Sequence, residues 1–489
     1  MSRILVIAEV SQKQAYIFGA RDLATNLRRS GEIEYVTGES FFKHCWNAYE
    51  NNKNLVYTGG GHTVLQFESL EDAENFCKAV TYTMIKEFPN MEMFIHQMKY
   101  DESLSHGENL TKLSEGLETK KSFRSSSFRQ LSFGVEHSAQ KVKSSFEYTA
   151  PKKYSGWNLT TNFGELAGAT GENFIAVVHL DGNSMGTRVQ NIYKNVNDLS
   201  WDKCVDTLQK FSNSIDRNFK HAYNQMLDEL IEALDKQADD LEAAGKDNPW
   251  KDKILPVRKV IGAGDDVCFV TSGQFGIECA VSFLKHLSKQ NNEVDKKGYA
   301  ACAGIVMIHT KYPFCVAYDL SEELCSSAKK YGAGIKSDGS LSVIDWHIEF
   351  GQMKGSLSQI REDYWTEDNG RLELRPLVVV GEAPCKERSY AFFHDLTAQL
   401  IDNANENSIA RSKIKQLRKV FRQGEQETIL AIRWTETENI LTTSEKAGAS
   451  HKTAFFDDIL DDEPIRRCLY FDSIEVMDHI DLWRKEDTK

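Results

Sequence analysis

The ten cysteines of this 489-residue chain include no pair spaced CxxC. That absence argues against a zinc ribbon. The apolar settings of Cys268, Cys279 and Cys302 argue for reduced, buried thiols. No apolar run approaches the roughly 18 residues a membrane span needs. "GYAACAGIVMI" and "RPLVVVG" have the length of buried strands instead. The opening "MSRILVIAEVSQKQ" lacks a small-residue cleavage site, so it reads as a first strand rather than a signal peptide. A cytoplasmic protein with no membrane partner is the expectation. Positive charge is also scarce. There are 59 Lys and Arg against 72 Asp and Glu, a net charge of −13. Such a balance makes a poor general nucleic-acid binder, because phosphate contacts supply most of that affinity. Any nucleic-acid site has to be a local basic patch. "RSKIKQLRKVFRQG" (411–424) is one candidate, with a solvated helix face as the simpler reading.

What is present is an ordinary globular composition, 41% hydrophobic and 27% charged, at a length suited to about three domains. Residues 1–100 alternate strand-like and helix-like runs. Residues 101–172 shift to Ser, Lys and Gly and read as a long loop, linker or small insert. From 173 to 350 the order is βα, ββ, α, β, α, a ferredoxin-like sheet backed by helices. An acidic amphipathic helix is expected as an insert near 225–253, with Leu227, Leu230, Ile231, Leu234, Ala238 and Leu241 on one face. Residues 351–489 read as mixed, then mainly helical from about 385. The fold class is therefore α+β, with two ferredoxin-like units and a mainly helical C-terminal region.

"VIGAGDDVCFV" (260–270) places Asp265 and Asp266 side by side at a hairpin tip. Adjacent carboxylates repel unless something positive lies between them. The bland account is a type I′ turn; the sharper one is a divalent cation. Upstream, "AVVHLDGNSMGTRV" ends a strand in an acid, Asp181. Asp181, Asp265 and Asp266, with the Gly182 carbonyl, suit a two-metal phosphoryl-transfer site holding Mg²⁺ or Mn²⁺. Gly262, Ala263 and Gly264 would let backbone approach a nucleotide. The turn amides from Asn183 through Ser184 and Met185 to Gly186 could cradle a triphosphate. Lys329, in "SSAKKYG", is either a solvated lysine near a helix end or a triphosphate contact. Around His394-Asp395 no further histidines stand at metal-ligand spacing, which argues against a metal-dependent HD nuclease there.

The pattern repeats internally. "LVIAEVSQKQAYIF" parallels "AVVHLDGNSMGTRV", so Glu9 falls on Asp181. "VYTGGGHTVLQF" parallels "VIGAGDDVCFV". Matching the glycines puts Gly59 on Gly262, Gly61 on Gly264, His62 on Asp265 and Thr63 on Asp266. One copy keeps all three carboxylates; the other has Glu9, His62 and Thr63. His62 is then a nucleotide contact or a structural residue.

"LDGNSMG", "GAGDDVCF" and "AGIVMIHTKYPFCVAYDLSEELCSSAKKYG" resemble the second palm domain of the large polymerase-like subunit of type III CRISPR effector complexes. "IAEVSQKQAYIF" and "YTGGGHTVLQF" resemble its degenerate first palm. The resemblance covers roughly residues 3–98 and 173–350. It implies that two ATP molecules bind between the palms and condense into cyclic oligoadenylates, second messengers of anti-phage defence. It implies Asp181, Asp265 and Asp266 as metal ligands, Gly59, Gly60 and Gly61 as the contact loop of the second nucleotide, and Lys329 as a triphosphate residue. Nucleoside triphosphates are the implied ligands. CRISPR effector subunits with guide and target RNA, or a downstream effector activated by the cyclic product, are the implied partners. Ala263 departs from the family's GGDD. The family's HD nuclease and its zinc ribbon between the palms find no counterpart, so no zinc is expected. Two further functions stand beside a cyclic oligonucleotide synthase: a nucleotide-binding scaffold of an RNA-guided complex, and a templated polymerase. The intact carboxylates argue against the first. The acidic balance argues against the second.

Overall fold

The computed structural model describes residues 3–123, 144–168, 173–351, 356–367, 370–405, 409–435, 454–460 and 463–484. The chain opens with β1 (Ile4–Val10), α1 (Lys13–Phe18) and α2 (Leu23–Val36). The hairpin β2 (Leu55–Gly59) and β3 (His62–Phe67) follows, then α3 (Leu70–Glu87), β4 (Met93–Lys99) and α4 (His106–Ser122). The same order returns in a second unit. It runs β5 (Phe174–Gly182), α5 (Met185–Asn195), α6 (Trp201–Ala243), the hairpin β6 (Val257–Ala263) and β7 (Asp266–Ser272), α7 (Gly276–Ser288), β8 (Ala301–His309) and α8 (Phe314–Ile335).

The first sheet is ordered β2-β3-β1-β4. The second contains the matching order β6-β7-β5-β8, and β9 (Ser342–Ile348) and β10 (Leu377–Val380) extend it past β8. Both are ferredoxin-like. The apolar runs explain why these strands sit centrally. In β1, Leu5 and Ile7 enter one core cluster while Ile4, Val6 and Val10 enter another, so both faces are buried.

The two units share their core. Leu5, Val56 and Tyr57 cluster with Tyr193, Leu208 and Phe211. The Tyr57 and Tyr193 hydroxyls lie 2.6 Å apart in the buried interface. α2 packs on β6, and reciprocally α6 packs on β2. Phe18 of the first unit stacks on Tyr318 of the second at 3.8 Å. The arrangement is that of a pseudo-symmetric dimer built in one chain.

Three expectations change. The helix expected near 225–253 is the second half of the 43-residue α6, about 65 Å long. Leu227, Leu230, Ile231 and Leu234 are buried as the spacing required, Ala238 packs partly against the core, and the helix stops at Ala243. Within 101–172, α4 stands where a loop was expected. It carries a full capping box between Ser105 and Glu108 and buries Leu110, Leu113 and Leu117. Most of the Ser/Lys-rich stretch, 124–143, lies outside the described residues. Beyond 385 the chain has helices α9 (Tyr390–Asn405) and α10 (Arg411–Val420), but also the hairpin β11 (Phe455–Leu460) and β12 (Glu463–Cys468). α10 is the basic segment. Arg411 pairs with Asp478 at 2.6 Å and Lys415 pairs with the same carboxylate, so part of its charge is turned inward.

Candidate active site

Asp181, the penultimate residue of β5, pairs across the sheet with Asp266, the first residue of β7. The Gly182 N–H donates to the Asp265 carbonyl at 3.2 Å. A side chain on Gly182 would begin 2.9 Å from Asp265 Cβ, so glycine permits this approach. At the tip only Gly264 has positive φ, +67°. A type I′ turn needs two such residues, so this two-residue tip is not type I′; a glycine with positive φ at its first position is what a type II′ hairpin turn requires.

The carboxylates stand in an unfavourable field. Burial, then the Asp181 and Asp265 charges, pushes Asp266 up to about 7. Burial, then Asp181, pushes Asp265 up to about 6. The Asp266 side chain is 31% exposed, yet its Oδ1 is occluded and lacks any hydrogen-bond partner. His179 Nδ1 approaches it at 3.6 Å, but burial holds that ring down to about 4, so it brings no charge at neutral pH.

The strand register corrects the glycine-based alignment. Gly59 pairs with His62 across the first tip and Ala263 pairs with Asp266 across the second. Glu9 faces His62 as Asp181 faces Asp266. His62 is therefore the counterpart of Asp266, not of Asp265; Gly61 corresponds to Asp265, Gly60 to Gly264 and Gly59 to Ala263. A one-residue slip matters because it exchanges the two faces of a strand. Three residues past each strand acid, a non-glycine adopts the left-handed conformation: Gln12 at φ 51° and Ser184 at φ 59°. The same turn conformation thus follows the acid-bearing strand in both units.

Lys329 donates to Asp181 Oδ2 at 2.5 Å and to the Gly182 carbonyl at 3.1 Å. Burial opposes its charge, but the Asp181 carboxylate outweighs this and raises the ammonium above its ordinary range. α8 is tied down on both sides of Lys329. Ser327 donates to Asp345 at 2.7 Å, and Arg388 donates to the Tyr331 hydroxyl at 2.7 Å. In the first unit Lys121 of α4 holds Glu9 at 2.8 Å, the same pairing from the equivalent helix.

Among the described residues no three Asp, Glu, His or Cys side chains converge closely enough to hold a metal ion as they stand. The Asp181 carboxylate is engaged by Lys329. The donor set itself suits a hard divalent cation, being three carboxylates and the Gly182 carbonyl. The orphaned Asp266 Oδ1 and the mutual repulsion of the three acids point the same way.

The expected phosphate cradle is smaller than the sequence suggested. The Asn183 N–H donates to Ala300 O, and its side chain to Gly339 O and Leu341 O, so Asn183 anchors the turn. Met185 and Gly186 open α5, where first-turn N–H groups lack intrahelical acceptors. A cavity of ≈ 460 Å³ lies between the units. Gly59, Gly60, Gly61, Gly262, Ala263, Gly264 and Asp266 line it, whereas Asp181, His62, Lys329 and the 182–186 turn are not in its wall. A larger hollow, ≈ 820 Å³, lies between the first unit and α6, where Gln209 and Asn213 line it, and includes none of the expected site residues. His62 packs edge-on to Tyr57 at 5.6 Å, and burial lowers it to about 4. Lys13, overlooked in the sequence, lines the inter-unit cavity and donates to Gly60 O.

Residues 174–335 match the family model described as Cas10/Cmr2, second palm domain. Over those residues the chain is similar to that second palm. Solved structures extend the likeness over 97% of this chain. A Csm1–Csm4 cassette in complex with pppApApA aligns at 14% identity with a TM-score of 0.59, over 69% of that chain. A Csm1–Csm4 cassette in complex with cA4 aligns at 13% and 0.58, again over 69%. Csm1 from T. onnurineus aligns at 13% and 0.55, over 69% of its length. Across the matches this chain spans 53–69% of its relatives' length. No curated protein matches it. The family match bears out the resemblance carried by the second-palm motifs over residues 174–335, and the solved structures bear out the fold. Both units have the palm fold; the second carries Asp181, Asp265 and Asp266, and the first has Glu9, Gly61 and His62 at the register-equivalent places.

Proposed function

We propose that this chain condenses ATP into cyclic oligonucleotides between its two palms. The observation that carries the reading is the position of Asp181, Asp265 and Asp266. They gather at the end of the second palm's sheet, where its hairpin tip meets that of the first: a Cβ on Gly264 would lie 3.5 Å from the Gly60 backbone nitrogen. In each step the 3′-oxygen of one nucleotide attacks the α-phosphorus of another. A phosphodiester forms, the bond to the β-phosphate oxygen breaks, pyrophosphate leaves, and the hydroxyl proton passes to solvent. The same step closes the ring.

Asp181, Asp265, Asp266 and the Gly182 carbonyl would hold Mg²⁺ or Mn²⁺. Bound there, such ions activate the attacking hydroxyl and offset charge on the leaving group. Lys329 and the amides of Ser184, Met185 and Gly186 would bind phosphate once nucleotide arrives, with Lys329 leaving Asp181. Gly59, Gly60, Gly61, Gly262, Ala263 and Gly264 keep the tips narrow enough for a nucleotide to lie against backbone. His62, uncharged at neutral pH, offers packing and a neutral hydrogen bond.

Relatives crystallised with cA4 and pppApApA did so alongside Csm4. We infer the same ligand class here and, as partner, an effector subunit of that kind with its guide RNA. A second reading, a nucleotide-binding scaffold, draws on the Lys329–Asp181 pair and on the lack, among the described residues, of three such side chains close enough to hold a metal ion. Incubating the purified protein with labelled ATP, alone and with the other triphosphates, in Mg²⁺ or Mn²⁺, followed by mass spectrometry, separates the two. A cyclic product supports the synthase. Bound nucleotide with no product, even with partner subunits and target RNA added, supports the scaffold.

A further inference from the structure

Four residues beyond each strand acid, the two palms differ in kind. The second palm has Met185, whose side chain crowds Gly182 beside Asp265. The first palm has Lys13 at the same place. Its methylenes lie against Gly61, where a Cβ would meet Lys13 Cε and Nζ at 2.7 Å. Gly61 is the register counterpart of Asp265, so the lost carboxylate side chain leaves the room that the lysine fills. The left-handed Gln12 directs this residue toward the tip, as Ser184 directs Met185.

The ammonium donates to Gly60 O, at the tip that meets Gly264 of the other palm. Glu9 beside it is already held by Lys121. Lys13 lines the inter-palm cavity together with Asp266 and both glycine-rich tips. A cation fixed there by a backbone carbonyl shares the cavity wall with Asp266 of the second palm. Its charge is only partly offset: burial disfavours it, while Glu9, Asp266 and Asp265 favour it.

We propose that Lys13 contacts the phosphate chain of a nucleotide held between the palms, so that the degenerate palm contributes a charged side chain to the shared site. The proposal rests on the ATP reading above. The contact is a charge-assisted hydrogen bond to a phosphate oxygen; no bond is made or broken by it.

The test is equilibrium binding of ATP and of adenosine to the full chain, by calorimetry in Mg²⁺, for wild type, Lys13→Met and Lys13→Arg. Thermal unfolding of each variant checks that it is folded. Lys13→Met, which copies the other palm, should weaken ATP by about 10–100-fold, the scale of losing one ionic hydrogen bond. It should leave adenosine within about twofold, and Lys13→Arg should recover most of the ATP affinity. Equal ATP affinity in wild type and Lys13→Met, or an equal loss for adenosine, overturns the assignment while leaving the synthase intact. A wild-type chain that binds no ATP overturns the synthase reading and this one with it.

Discussion

The two palms share a strand order, a left-handed turn and a lysine on the strand acid, yet they differ in what stands at the hairpin tip. The second palm presents Asp265 and Asp266. At the register-equivalent places the first presents Gly61 and His62. The scaffold repeats while the charges differ. Two acidic tips meeting face to face would place like charges together in a buried interface, which is costly. A glycine and a neutral histidine on one side remove that conflict and free space for Lys13. The asymmetry thus lets one palm concentrate negative charge while the other tolerates its proximity.

The most severe break in this comparison comes from the acids. Asp181→Ala or Asp265→Ala should each lower cyclic product formation by roughly 10³-fold, the upper scale for losing one preorganised electrostatic group. Glu9→Ala, the first palm's counterpart of Asp181, should cost less than about tenfold. Timed product analysis by mass spectrometry measures both. Next comes the lysine on the acid. Lys329→Met should reduce kcat/KM for ATP by about 10–100-fold, as expected when a charged hydrogen bond is lost.

A smaller effect of opposite sign is expected in stability. The Asp266 carboxyl is raised in the folded state to about 7 from an ordinary 3.8, so ionising it costs the metal-free fold stability. That cost is present in full above pH 7. It shrinks as pH falls through 7 and is gone below about 4, where the group is protonated in both states. Asp266→Asn should therefore raise the melting temperature in chelator at pH 8 by about 2–4 °C, on the scale of 1 kcal/mol for domains of this size. The gain should diminish toward pH 5. Adding Mg²⁺ at pH 8 should stabilise wild type and not the variant. The smallest effect belongs to the first palm's pair. Lys121 and Glu9 are partly exposed, so Lys121→Met should change stability by about 0–1 kcal/mol, read from denaturant unfolding, with product formation nearly unchanged.

The chemistry was legible where it is local. Asp181 ends an apolar strand and Asp265-Asp266 breaks another, so the strand-acid and hairpin-tip pattern could be read from spacing alone. The register between the palms could not. GGGHT and GAGDD both offer glycines to align, and only pairing across the tips shows that His62 stands for Asp266. α4 hid behind Ser and Lys on its solvent face, although Ser105 and Glu108 in "SHGE" announce its start and Leu110, Leu113 and Leu117 its buried stripe. Its loss as a helix concealed Lys121 as the partner of Glu9. The strands after 385 were missed because "FFDDIL" and "EPIRRC" show no clean alternation. Asp458 in the first of these strands is buried against Arg388 at 3.6 Å, a contact distant in sequence that the local pattern does not show. Lys13 carried no sequence signal beyond its distance from Glu9.

The central claim is that one palm carries the chemistry and the other supports it. The most direct test compares the register-matched pair Asp266→Asn and His62→Asn, assayed side by side for cyclic product from ATP with divalent metal and, where required, partner subunits. Loss of product in Asp266→Asn with product retained in His62→Asn is the predicted result. Product retained in Asp266→Asn, or equal loss in both, would contradict it.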